Sequence, residues 1–157
     1  MVNSTFSHSS NEMKKLPVNS EIPDITLIES DSPLTLHPLI TNHLLLLLLS
    51  TSCDVCADAL EALDDYTHHN PSLNVIILID TTQENLDIIQ QAFEGRASVF
   101  KYSIQDMVKH LQSYSVPWGY AIDASGKILS SQNVGSPNLL KETCQPIIPY
   151  FTGIHEA

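Results

Sequence analysis

Leu44 to Leu49 are six leucines in succession, and an unbroken apolar run of that length constrains the fold more than any other segment. A strand with one wet face alternates polar and apolar residues. This run does not, so it reads as a strand covered on both faces, inside a parallel or mixed sheet with helices above and below. Leucine's helix preference argues the other way, but six residues are short for a helix. The run also falls far below the roughly 20 apolar residues of a membrane helix. No segment of the sequence reads as a membrane span.

The segments around the run supply the rest of an α/β pattern. Ile25 to Ile28 and Leu34 to Leu36 flank the turn-forming residues Asp31, Ser32 and Pro33 and predict a hairpin. Cys56, Leu60, Leu63 and Tyr66 recur at helical spacing, with Asp58, Glu61, Asp64 and Asp65 on the remaining faces, so a helix is expected to about Thr67. Val75 to Ile79, β-branched and ending in Asp80, predicts a second buried strand. Leu86, Ile89 and Phe93 mark a helix stopping at Gly95, and Ile104, Met107, Val108 and Leu111 mark another, with room for a short strand at Ser98 to Phe100 between them. Trp118 to Ile122, the turn residues Asp123 to Gly126, and Lys127 to Leu129 predict a second hairpin. Ser136 and Pro137 form an N-cap and first-turn pair for a last helix, which Pro146 is expected to end near Gln145.

The chain has 157 residues, 43% of them apolar, enough for one domain with a real core. Residues 1 to 20, rich in Ser and Asn, are expected to form a flexible tail and residues 21 to 157 the domain. Seven Lys and Arg against eighteen Asp and Glu leave a charge of -11, which sets the protein's own field against phosphate and makes nucleic acid an unsuitable partner. The first twenty residues lack the apolar stretch of an export signal, so a cytoplasmic location is expected for the sequence as written. A sequence with its leader already removed would look the same.

Three cysteines, two of them close together, suggest one working pair and one spare. Cys53-Asp54-Val55-Cys56 stands where the buried strand hands over to a helix. At a helix N-terminus the free N–H groups and the dipole favour a thiolate on Cys53, and Cys56, one turn inside, is near enough to close a disulfide. In that reading Cys53 attacks and Cys56 resolves. Half of a zinc site and two buried small residues are the other readings of a lone C-x-x-C. Zinc needs two further ligands, and His68 and His69 lie about 18 Å along the helix at 1.5 Å per residue.

The C-x-x-C after an apolar strand, the entry Ile22-Pro23-Asp24-Ile25-Thr26-Leu27, and the segment from Val116-Pro117-Trp118-Gly119 to Gly126-Lys127-Ile128 resemble thioredoxin-fold thiol-disulfide oxidoreductases of the TlpA/ResA type, next to the peroxiredoxins. The resemblance covers about residues 20 to 145. It implies a thioredoxin-like fold: a central mixed β-sheet flanked by helices, with an N-terminal β-hairpin and a central αβ insertion. It also implies catalytic Cys53 and Cys56 and a cis Pro117 beside them. Substrate would bind along the backbone of Val116, with Trp118 at the groove or in the core. Such a protein needs no organic or metal cofactor.

Several residues depart from that pattern. Ser52 replaces the aromatic that usually covers the first cysteine, Leu47 replaces the buried acid of thioredoxins, and Ala59 replaces a Glu often found three residues after the second cysteine. Cys56 is therefore expected to lack its usual proton acceptor, since Asp58 points to another face of the helix. Asp54 disfavours a neighbouring thiolate, which suits a selective, reducing-leaning protein. The peroxidase signature P-x-x-x-T-x-x-C would need Pro and Thr where Leu46 and Ser50 stand. Cys144 reads as a core cysteine, His37, His43 and His110 as surface or capping residues, and Ile147 to Phe151 as a segment packed on the body.

The function expected is disulfide exchange with a cysteine-containing peptide or protein, a dedicated substrate such as a maturing peptide, with an upstream redox partner resetting the pair. The alternatives are a thioredoxin-fold binding module that turns nothing over, and thiol-based delivery of Cu(I).

Overall fold

A computed structural model describes residues 16–152. Two sheets are formed. The strands β1 (Thr26–Ile28) and β2 (Leu34–Thr35) make a small antiparallel hairpin, followed by a 3-10 turn at His37–Leu39. The main sheet holds β3 (His43–Ser50), β4 (Val75–Asp80), β5 (Ser98–Lys101), β6 (Trp118–Asp123) and β7 (Ile128–Asn133) in the order β5-β4-β3-β6-β7. Its helices are α1 (Asp54–His69), α2 (Gln83–Ala92), α3 (Ile104–Leu111), α4 (Pro137–Cys144) and α5 (Ile148–Thr152).

The leucine run is the central strand. It pairs in parallel with β4 and antiparallel with β6, so the sheet is mixed. Leu45, Leu47 and Leu49 face a cluster with Cys56, Ala59 and Leu63 of α1, Leu86 of α2 and Leu140 and Cys144 of α4. Leu44, Leu46 and Leu48 face the opposite cluster with Leu27, Leu36, Met107, Leu111 and Tyr120. Every residue of β3 is buried, which removes any reason for alternation along it.

Hydroxyl side chains cap the starts of three helices, at Ser136 as expected and at Thr82 and Ser103 besides. Thr82, Ser103 and Ser136 accept from the amides of Asn85, Asp106 and Leu139, at the starts of α2, α3 and α4. The β6–β7 turn is held by Asp123 Oδ1, which accepts from the amides of Ser125 (2.9 Å) and Lys127 (3.0 Å), with Gly126 at φ +90° completing it.

Four expectations are corrected. Residues 16–20 of the expected tail belong to the body: Leu16 is buried, the Asn19 amide donates to the Ile128 carbonyl at 2.7 Å, and the Ile128 amide donates to the Ser20 carbonyl at 2.8 Å. Residues 1–15 lie outside the described residues. Strand β7 runs to Asn133, because β6 continues to pair with it as far as Trp118. Helix α4 ends at Cys144, next to Gln145 as expected, but it is not the last: Pro146, whose missing amide is harmless in a first turn, sits in the 3-10 segment Gln145–Ile147, and α5 follows. There Ile147 and Phe151 are buried on the body. His43 is neither a surface nor a capping residue: burial at the start of β3 leaves both ring nitrogens hydrogen-bonded, Nε2 accepting from the Asn74 amide (2.9 Å) and Nδ1 facing Asn42 Oδ1 (2.6 Å).

Candidate active site

Cys53 is the N-cap of α1, in an extended conformation, and its sulfur takes the place that an oxygen takes in the other caps. The Cys56 amide donates to Cys53 Sγ at 3.1 Å. The loop from β3 is held by the Ser52 amide donating to Ser50 Oγ (3.0 Å) and the Thr51 amide donating to the Asp80 carbonyl (3.1 Å). Cys53 and Cys56 are joined as a disulfide, with Cα atoms 5.2 Å apart. Cys53 is half-buried and Cys56 is buried, so an incoming sulfur reaches Cys53 first.

The tertiary fold brings Val116 and Pro117 to the pair. The Val116 carbonyl oxygen lies 3.7 Å from Cys53 Sγ, the Val116–Pro117 peptide is cis, and Pro117 is buried. Trp118 is partly buried against the cluster opposite α1, and its indole N–H donates to Ser131 Oγ at 2.9 Å. Ser52, Asp54 and Val55 are exposed around Cys53. A thiolate on Cys53 would keep the Cys56 amide as a donor, while the charge of Asp54 would act against it. Leu47 and Ala59 are buried with Cys56 in one apolar cluster and offer it no proton acceptor.

Sequence reasoning missed Gly135. A Cβ built on it would stand 2.6 Å from Val55 Cγ1, inside the C-x-x-C segment, and 3.6 Å from Pro117 Cγ. A glycine between a strand and a helix cap gives no signal of which residue it meets. Gly135, Ser136 and Pro137 also form one side of a groove of about 480 Å³, with Asp58, Glu61, Ala62 and Asp65 of α1 on the other. The remaining candidates lie elsewhere. His37 Nε2 contacts the Ile22 carbonyl at 2.7 Å, and His110 stands on α3 beside Asp106. Cys144 is buried in α4, where burial pushes its thiol up to about 12 despite a hydrogen bond with Tyr66. Among the described residues no group of three His, Cys, Asp or Glu side chains could hold a metal ion.

No family model matches the chain, and no curated protein matches it. Solved structures do. The fold is similar to that of a Chlorobium tepidum protein assigned as the thiol:disulfide interchange protein DsbE, with a TM-score of 0.69 at 14% identity over 87% of this chain and 99% of that one. A thiol:disulfide interchange protein from Bacteroides sp. gives 0.64 at 14% identity over 90% and 93%. A secreted thiol-disulfide isomerase from Corynebacterium glutamicum gives 0.60 at 12% identity over 81% and 84%.

At these identities the likeness is one of fold, and the fold is thioredoxin-like, with a C-x-x-C pair at the start of α1. A secreted protein among the neighbours leaves the cytoplasmic expectation without support from the comparisons. Among the described residues no helix is long and apolar enough to cross a membrane.

Proposed function

We propose that the chain is a thiol-disulfide oxidoreductase that exchanges disulfides with a cysteine-containing peptide or protein through Cys53 and Cys56. The observation that carries this reading is a paired C-x-x-C whose first sulfur is half-buried, sits on a helix N-terminus and lies 3.7 Å from the carbonyl of Val116.

In the reduced protein, Cys53 thiolate attacks one sulfur of a substrate disulfide, forming a mixed disulfide and expelling the other sulfur as a thiolate. Cys56 then attacks Cys53 Sγ. The second substrate thiolate leaves, Cys53 and Cys56 are joined, and two electrons have passed to the substrate. With Leu47 and Ala59 in the acid positions, the proton of Cys56 passes to the expelled thiolate or to solvent. A dithiol partner reverses the protein half of the cycle and resets the pair.

Val116, Pro117 and Trp118 are the substrate-facing residues, with the Val116 backbone accepting an extended peptide as an added strand. Ser52 and Asp54 set the character of Cys53: an open approach on one side, a restrained thiolate on the other. That combination favours a dedicated substrate, such as a cysteine-containing peptide under maturation.

Titration of the pair in a redox buffer, read by thiol trapping and mass spectrometry with Cys144 followed separately, tests the reading. A reversible two-electron transition between about -270 and -120 mV is expected, the more negative end marking a reductant. A pair that stays in one state throughout would overturn it in favour of a binding module, the reading that apolar Leu47 and Ala59 favour.

A further inference from the structure

We propose that Gly135 is a positioning residue of the Cys53–Cys56 site: the empty space at its Cα lets the β7–α4 turn close on Val55 and seat the C-x-x-C segment beside Pro117. The proposal rests on the reading that this pair exchanges disulfides. Val55 stands between the two cysteines, and an ideal Cβ on Gly135 would come within 2.6 Å of its Cγ1, a distance that real Cβ atoms do not tolerate.

The demand is for space, not for backbone freedom. Gly95 and Gly126 are the glycines at positive φ among the described residues, and Gly135 is not one of them. Two local hydrogen bonds fix the shape of the turn: the Gly135 amide donates to Asn133 Oδ1 at 2.7 Å, and Ser136 Oγ accepts from the Leu139 amide at 3.2 Å. Asn133 Oδ1 would itself lie 2.9 Å from the added Cβ, so this hydrogen bond would shift with it. On the other side, Val55 is β-branched and stiff at χ1. Val55 is 47% exposed, so the new methyl would push it off its preferred helical rotamer or press on the first turn of α1, whose Cys56 amide contacts Cys53 Sγ. Gly135 thus acts on the sulfur pair through Val55.

Gly135→Ala, Val55→Ala and the double variant, each in the full chain, separate this from a general packing effect. The measurements are the equilibrium constant of the pair with glutathione and the urea midpoint of the oxidised protein. Gly135→Ala is expected to shift the equilibrium constant by about tenfold, which is ~30 mV for a two-electron couple. In its equilibrium constant the double variant is expected to agree with Val55→Ala within about twofold, because truncating Val55 removes the contact that reaches the pair; the contact with Asn133 Oδ1 remains and is expected to lower the urea midpoint alone.

An equilibrium constant unmoved by Gly135→Ala would overturn the proposal, and so would a shift that persists in the double variant. Should Gly135→Ala fail to fold, the comparison of the double variant with Val55→Ala decides alone: agreement supports the proposal and a larger difference overturns it. Absence of a reversible transition in the unsubstituted protein would instead sink the exchange reading itself.

Discussion

Cys53 Sγ and the carbonyl oxygen of Val116 lie 3.7 Å apart, across 63 residues of chain. The contact exists because β3 and β6 are neighbours in the sheet, with Leu48 opposite Trp118, so the end of β3 and the start of β6 meet at one edge. A substrate peptide bound along Val116 would therefore present its own sulfur to Cys53.

The proposed exchange gives the two cysteines different roles. With Cys56→Ser, a peptide disulfide is expected to yield a stable adduct through Cys53, and turnover should fall by about 100-fold or more. With Cys53→Ser, no adduct is expected, since Cys56 is 1% exposed. Mass spectrometry under non-reducing conditions checks both, and an equal yield of adduct through Cys56 would reverse the assignment.

Cys144 should stay out of this chemistry. It is fully buried, and burial pushes its thiol up to about 12, so it is protonated at neutral pH. Iodoacetamide at pH 8 is expected to modify Cys53 in the reduced, native protein and to modify Cys144 only after urea unfolds it. Peptide mapping before and after unfolding makes the comparison.

His43 should make stability depend on pH. Its Nε2 accepts from the Asn74 amide, its ring stacks on Tyr150 and packs against Phe151, and burial lowers its pKa below the ordinary 6.5. The unfolded chain therefore binds the proton more readily. The stabilising contribution of neutral His43 is complete above pH 6.5 and is lost as pH falls through the folded value. Urea titrations between pH 7.5 and 5 are expected to show a slope of at most ~1.4 kcal/mol per pH unit from this residue, absent from His43→Gln.

Arg96 ties the end of α2 to α1. Its guanidinium donates to Asp64 Oδ1 and Thr67 Oγ1, each at 2.8 Å, and to the Ala92 carbonyl at 2.6 Å, while Cζ lies 5.1 Å from the Phe93 ring centroid. Arg96→Ala is expected to cost about 1–3 kcal/mol, and Arg96→Lys to recover less than half, because an ammonium cannot span the same acceptors. Asp64→Asn should cost about 1 kcal/mol or less, since that carboxylate is half exposed. Urea midpoints rank the three.

Local pattern carried much of the fold. The leucine run, the β-branched segment at Val75, the Ser136 cap and the Asp123–Gly126 turn each act over a few residues, and each lies where the sequence places it. The pair Cys53 and Cys56 was legible for the same reason: helix spacing alone sets three residues one turn apart. Residues 16–20 were not legible as structure, because their order comes from pairing with Ile128, more than a hundred positions away. Nor was the fate of His43, whose polarity suggests the surface until Asn74 and Asn42 satisfy its ring.

The sequence by itself determined the class of sheet, the place of the cysteine pair at a helix start, and the absence of an acid at positions 47 and 59. These depend on residue type and on short-range spacing. The family resemblance pointed to Val116 and Pro117, but only the tertiary structure decided the contacts themselves: the Val116 carbonyl at Cys53 and Gly135 against Val55. Those meetings depend on strand order and on how closely the β7–α4 turn packs against the first turn of α1, and neither is written in any stretch of adjacent residues.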